Sequence, residues 1–143
     1  MYPSHDKDVY GWAIHTAQLL RDKKMNEVDF DGIVEELEEM GISNKHAMIS
    51  RLALIISHLL KWQFQPNMRG HSWKYTIREH RDEGKIHWED NPSLKNKLDE
   101  IMVKAYKKAL TKAISQTGLE EKTFPTECPY TFDQIMNEEF YPE

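Results

Sequence analysis

Cysteine is almost missing from this chain. Cys128 stands alone, so no intrachain disulfide can form and a disulfide-stapled scaffold is excluded. Glycine and proline number six each, too few for collagen-like or low-complexity classes. No apolar run is long enough to cross a bilayer, which excludes a membrane protein. The opening segment Tyr2-Pro3-Ser4-His5-Asp6-Lys7-Asp8 lacks the apolar stretch of a signal peptide. With the lone thiol, that absence leads to the expectation of a cytoplasmic, reducing environment. Positive charge is also in deficit: 19 basic against 24 acidic residues leave a net charge of -5, so the chain as a whole carries no nucleic-acid footprint.

What remains is the material of a globular protein. A length of 143 residues suits one domain. Four Trp, six Tyr and five Phe can anchor a packed interior despite a mean hydropathy of -0.74, which argues against disorder.

The dominant period is helical. A first helix is expected over 6–21, with Val9, Trp12, Ala13, Thr16, Ala17 and Leu20 on its apolar stripe. Asp29 suits an N-cap for a second over 30–40, striped by Phe30, Ile33, Val34, Leu37 and Met40 and stopped at Gly41. Ser43 or Asn44 would cap a third over 44–65, which Pro66 ends. Ser72 opens a fourth over 73–88. Asn91 followed by Pro92 opens a fifth over 92–117, ending at Gly118. Thr123 to Tyr130 is a proline and aromatic hook, followed by the capping box Thr131-Phe132-Asp133-Gln134 and a short helix over 132–137. No strand, repeat or linker is evident. The expectation is an all-α, single-domain helical bundle of about five main helices, closed by a short C-terminal helix and hook.

The third helix is the most informative. Met48, Ile49, Leu52, Ala53, Ile55, Ile56, Leu59, Leu60, Trp62 and Phe64 fill an apolar arc of about 200°, twice the stripe of a surface helix. It must therefore be covered on at least two sides. Its remaining strip carries Ser50, Arg51, Leu54, Ser57, His58, Lys61 and Gln65, and buried polar groups need partners. Two sources present themselves. Between Met25 and Asn44 there is no Lys or Arg, but seven carboxylates, Glu36 and Glu38 among them. The fourth helix carries Lys74, Arg78, Arg81 and Lys85 as a basic ridge, with Arg69 in the loop before it. A network joining Glu36, His58, Arg69 and Arg78 follows, read first as a structural ion-pair cluster.

At these residues the chain resembles a known family. Glu35-Glu36-Leu37-Glu38-Glu39-Met40-Gly41, then His58-Leu59-Leu60-Lys61-Trp62-Gln63-Phe64-Gln65-Pro66, then Ser72-Trp73-Lys74-Tyr75-Thr76-Ile77 are similar to the bacterial domain-of-unknown-function family twenty-nine. Pro92-Ser93-Leu94, Ala105-Tyr106 with Ala109, Thr117-Gly118-Leu119, and Phe124-Pro125 with Cys128-Pro129 extend the likeness over nearly the whole chain. The resemblance implies a small, all-helical bacterial protein with no established biochemical activity. The positions with functional potential that it carries over are Glu35, Glu36, Glu39, His58, Lys61, Trp62, Gln65, Arg69, Ser72, Trp73 and Arg78. The chain departs from the pattern at Gly84, His80 and His87.

Several chemistries compete with blander readings of the same residues. His80, Glu83 and His87 share one helix face as metal ligands would, but a solvated polar face gives the same spacing, and no metal or cofactor is expected. His58 beside Glu36 would make an acid–base pair for a hydrolase-like enzyme, though no nucleophile motif accompanies it. The segment from Lys61 to Arg81 interleaves cations with Trp62, Trp73 and Tyr75, the chemistry of phosphate or single-stranded nucleic-acid binding; overall acidity argues the other way. The lysine-rich fifth helix and tail aromatics Phe132, Phe140 and Tyr141 suit contact with another protein or self-association. The reading preferred is an interaction or regulatory module binding through Glu36, His58, Lys61, Arg69, Trp73 and Arg78.

Overall fold

A computed structural model describes residues 2–143, and helix accounts for 76% of it with no strand among the described residues. Five α-helices follow in order: α1 (Val9–Arg21), α2 (Phe30–Phe64), α3 (His71–Asp90), α4 (Leu98–Thr117) and α5 (Phe132–Met136). Short 3-10 turns at Met25–Glu27, Pro66–Met68, Pro92–Lys97 and Glu121–Thr123 join them. None of these helices is long and apolar enough to cross a membrane. The chain divides into a first compact unit through Ser43 and a second over Asn44–Glu143.

The expected break at Gly41 does not occur. The segments 30–40 and 44–65 form one helix of 35 residues. A single interior glycine costs a helix only about 1 kcal/mol, well within what flanking turns supply. Asn44, the expected cap, instead accepts from His87 through its side-chain oxygen at 3.0 Å and donates to Asn91 at 3.2 Å. Asp29 does cap the start, its carboxylate accepting from the Gly32 amide at 3.0 Å.

In the first unit, α1 buries Trp12, Thr16 and Leu19, while the expected core residues Val9 and Leu20 face solvent. Trp12 lies against Gly32, where an added Cβ would stand 2.8 Å from the indole ring. His5 bonds Glu36 at 2.6 Å and packs edge-on to Trp12.

In the second unit the interior rod is as the arc requires. Met48, Leu52, Ala53, Ile55, Ile56, Leu59 and Leu60 are fully buried, each large side chain contributing about 1.5–3 kcal/mol. Ile77 of α3, then Ile101, Ala105, Tyr106, Ala109 and Ala113 of α4, close over them. The hook completes the core through Phe124, Tyr130 and Ile135, with Phe124 edge-on to Phe64 and the Tyr130 hydroxyl donating to Gln63 at 2.7 Å. Gly118 takes φ +72° and ends α4, its amide bonded to the Ile114 carbonyl; Thr131 and Gln134 form the expected capping box of α5. Three helix starts differ from expectation: α1 begins at Val9, capped by the Asp8 carboxylate, and not at 6. α3 begins at His71 behind Gly70, with Ser72 inside it, and Pro92 opens a 3-10 turn before α4.

Candidate functional site

The residues expected to share one groove have separate partners. Glu36 sits in the first unit, bonded to His5, whose imidazole also lies 3.7 Å from Glu35. That hydrogen bond, reinforced by both carboxylates, raises the His5 pKa above its ordinary value despite some desolvation. His58 sits in the second unit, where its Nδ1–H donates to the Leu54 carbonyl at 2.8 Å. Burial holds His58 below its ordinary pKa, with Lys61, His80 and Lys112 adding to the shift. No carboxylate lies within 4.0 Å of its ring among the described residues.

The polar strip of α2 is satisfied by α3 and α4. Lys61, almost wholly buried, donates to Gln116 at 2.8 Å, and Ser50 accepts from Lys108 at 2.8 Å. Arg51 pairs with Glu83 and donates to His80 Nδ1 at 3.2 Å. Two members of the histidine-containing trio on α3 thus face a guanidinium, and the third, His87, donates to Asn44.

Arg81 is the residue the basic ridge misplaced. It is 1% exposed, not part of a solvated ridge. Its guanidinium donates to the main-chain carbonyls of Ile135 at 2.6 Å, Phe140 at 2.9 Å and Gln134 at 3.3 Å. Two of these carbonyls, Gln134 and Ile135, lie at the C-terminal end of α5, where a cation is electrostatically favoured; that of Gln134 also accepts from the Asn137 amide at 3.2 Å. The Tyr141 ring packs 5.4 Å from the same guanidinium. A signal for this burial existed: Ile77, Arg81, Gly84 and Trp88 fall on one helical stripe. Gly84 is buried too, with room for a Cβ only 3.2 Å from Met136 and 3.3 Å from Arg51.

Three further cations, Lys61, Arg69 and Lys74, lie on aromatic rings. Arg69 donates to the Trp62 carbonyl at 2.7 Å and lies 5.1 Å from the Trp62 ring centre. Lys74 lies 5.6 Å from the same ring and 5.7 Å from that of Tyr141, which tilts against Trp62 at 4.9 Å. Lys61 stands 5.3 Å from the ring of Trp73. Lys61 with Trp73 thus makes a separate cation–aromatic contact, and Arg69 belongs to a cation–aromatic cluster with Trp62, Lys74 and Tyr141. Arg78 lies beside it, lining an open cleft of about 630 Å³ with His71, Lys74, Tyr75, Tyr141 and the tail residues Glu138 and Glu139.

A second surface lies on the first unit. Phe30, Val34 and Leu37 were expected to be core, yet they are 54%, 51% and 60% exposed, and Met40 is 67% exposed. On a helical projection Gly32 and Glu36 lie on the opposite side from this stripe, and Trp12 and His5 pack on those two residues. The first helix thus covers the glycine-bearing face and leaves the apolar one open. Eleven of the fifteen large exposed apolar residues fall before Asn44.

Compared with known proteins, residues 4–141 match the family model of the domain of unknown function DUF29, whose description names no activity. No curated protein matches the chain. No solved structure matches it either.

Proposed function

This chain belongs to the DUF29 family, and we propose that it acts as a protein-interaction module of the bacterial cytosol, engaging its partner through the open face of α2. The observation that carries this reading is the exposed Phe30–Val34–Leu37 stripe, because contiguous apolar surface that a fold leaves uncovered marks contact sites. Its spacing of four and three residues is that of anchors on a helix laid into a groove.

Charge selects the occupant. Asp31 and Glu38 border the stripe on the helical projection, and no Lys or Arg occurs between Met25 and Asn44. A second copy of the chain would set carboxylates against carboxylates. A partner offering an apolar groove rimmed by Lys or Arg meets both features, with the rim acting mainly on association rate and specificity.

The test compares affinity capture by the wild type and by Leu37→Glu, followed by reconstitution with the purified partner. Leu37 is exposed, so the variant should stay within about 0.5 kcal/mol of wild-type stability. The expected result is a partner that Leu37→Glu loses and that binds more weakly as salt rises. An identical captured set for both proteins overturns the proposal. So does a wild-type homodimer that Leu37→Glu dissociates.

A further inference from the structure

The cleft between α3 and the C-terminal tail holds unpaired charge of both signs. Lys74 and Arg78 stand one turn apart on α3, with His71 one turn before Lys74. Tyr75 lines the same wall and is 70% exposed. Across from them stand Glu138 and Glu139, yet no carboxylate comes within 4.0 Å of Lys74 or Arg78 among the described residues. They line an open cleft of about 630 Å³, a volume in the range of small-molecule sites, roughly 300–1,000 Å³.

We infer that this cleft binds a nucleotide unit, with phosphate on Lys74 and Arg78, the base on the face of Tyr75, and sugar hydroxyls or base N–H groups donating to Glu138 and Glu139. Each wall excludes a simpler ligand. An inorganic anion has no use for Tyr75 or for the carboxylates, and an acidic peptide is repelled by them. A nucleotide presents an anion, a π face and neutral donors together, which is the set this cleft complements. The walls are also held in advance. Arg81 fixes the tail by its main chain, and the Tyr141 ring packs on both that guanidinium and Lys74. The same chemistry is offered by a free mononucleotide and by one residue of a single strand.

The experiment titrates the full chain with ATP, with single-stranded oligoadenylate RNA of about ten nucleotides, and with tripolyphosphate as a base-free control. ATP, the oligomer or both should bind, and tripolyphosphate several-fold more weakly. ATP binding alone identifies a free nucleotide, oligomer binding alone a strand, and either sustains the inference. Arg78→Ala, at an exposed side chain without partners, should weaken binding roughly tenfold at unchanged melting temperature. Tyr75→Leu should erase the preference over tripolyphosphate. The inference is overturned if neither nucleotide binds at about 1 mM, if tripolyphosphate binds equally well, or if both variants bind as the wild type does.

Discussion

Arg81 offers the sharpest perturbation in the molecule. In Arg81→Leu the side chain keeps apolar bulk but loses a guanidinium that donates to the carbonyls of Ile135, Phe140 and Gln134 at 2.6, 2.9 and 3.3 Å. Hydrogen bonds to a charged donor are worth about 1.5–3 kcal/mol each, but burying the cation has its own cost, so their sum overstates the effect. The decisive quantity is what is left behind. The two shortest bonds leave two carbonyls without a donor, at about 1–3 kcal/mol each, giving an expected loss of about 2–6 kcal/mol. For a chain of this length that is roughly 7–20 °C in Tm. Urea unfolding followed by circular dichroism measures the global loss, and amide exchange over 132–141 locates it in the tail. Arg81→Lys should recover less than half, because an ammonium lacks the planar fork that reaches several carbonyls at once. A loss below about 1 kcal/mol with unchanged tail protection would refute the main-chain grip.

Two further outcomes concern the first unit. Gly32→Val should destabilise it by about 2 kcal/mol, since even a Cβ would stand 2.8 Å from the Trp12 ring; an unmoved Trp12 indole resonance with unchanged stability would contradict the close approach. His5 should titrate above 6.5, because Glu36 and Glu35 favour its protonated form. Its folded pKa being raised, its stabilisation is complete below 6.5 and is lost as pH rises through the folded value. Exchange in α1 should therefore quicken on the alkaline side in the wild type and respond far less to pH in Glu36→Gln; a His5 titrating at or below 6.5 would refute the pairing.

The fold was legible wherever a local rule and burial agreed. The wide apolar arc of residues 48–62 names an interior rod without any knowledge of its neighbours, and Asp29, Gly118 and Thr131 mark ends whose chemistry is local. Reading failed where two physical causes leave one pattern. Phe30, Val34 and Leu37 repeat as a core stripe does, but apolar periodicity cannot tell a face covered by the same chain from one left open. Gly41 looks like a stop because glycine often ends helices, yet helix on both sides carries through it. Arg81 follows the spacing of exposed Lys74, Arg78 and Lys85, and only its place on the stripe of Ile77 and Gly84 separates it from them. The pairing of His5 with Glu36 spans 31 residues and has no local signature.

The manner in which Arg81 holds the tail has an evolutionary corollary. Its hydrogen bonds reach only peptide oxygens, which every amino acid supplies, so those bonds place no demand on which side chains stand at 134 or 140. The path of the tail and the chemistry it displays are thereby uncoupled. A substitution at 139 changes what that wall displays without removing any bond that fixes the trace of the backbone.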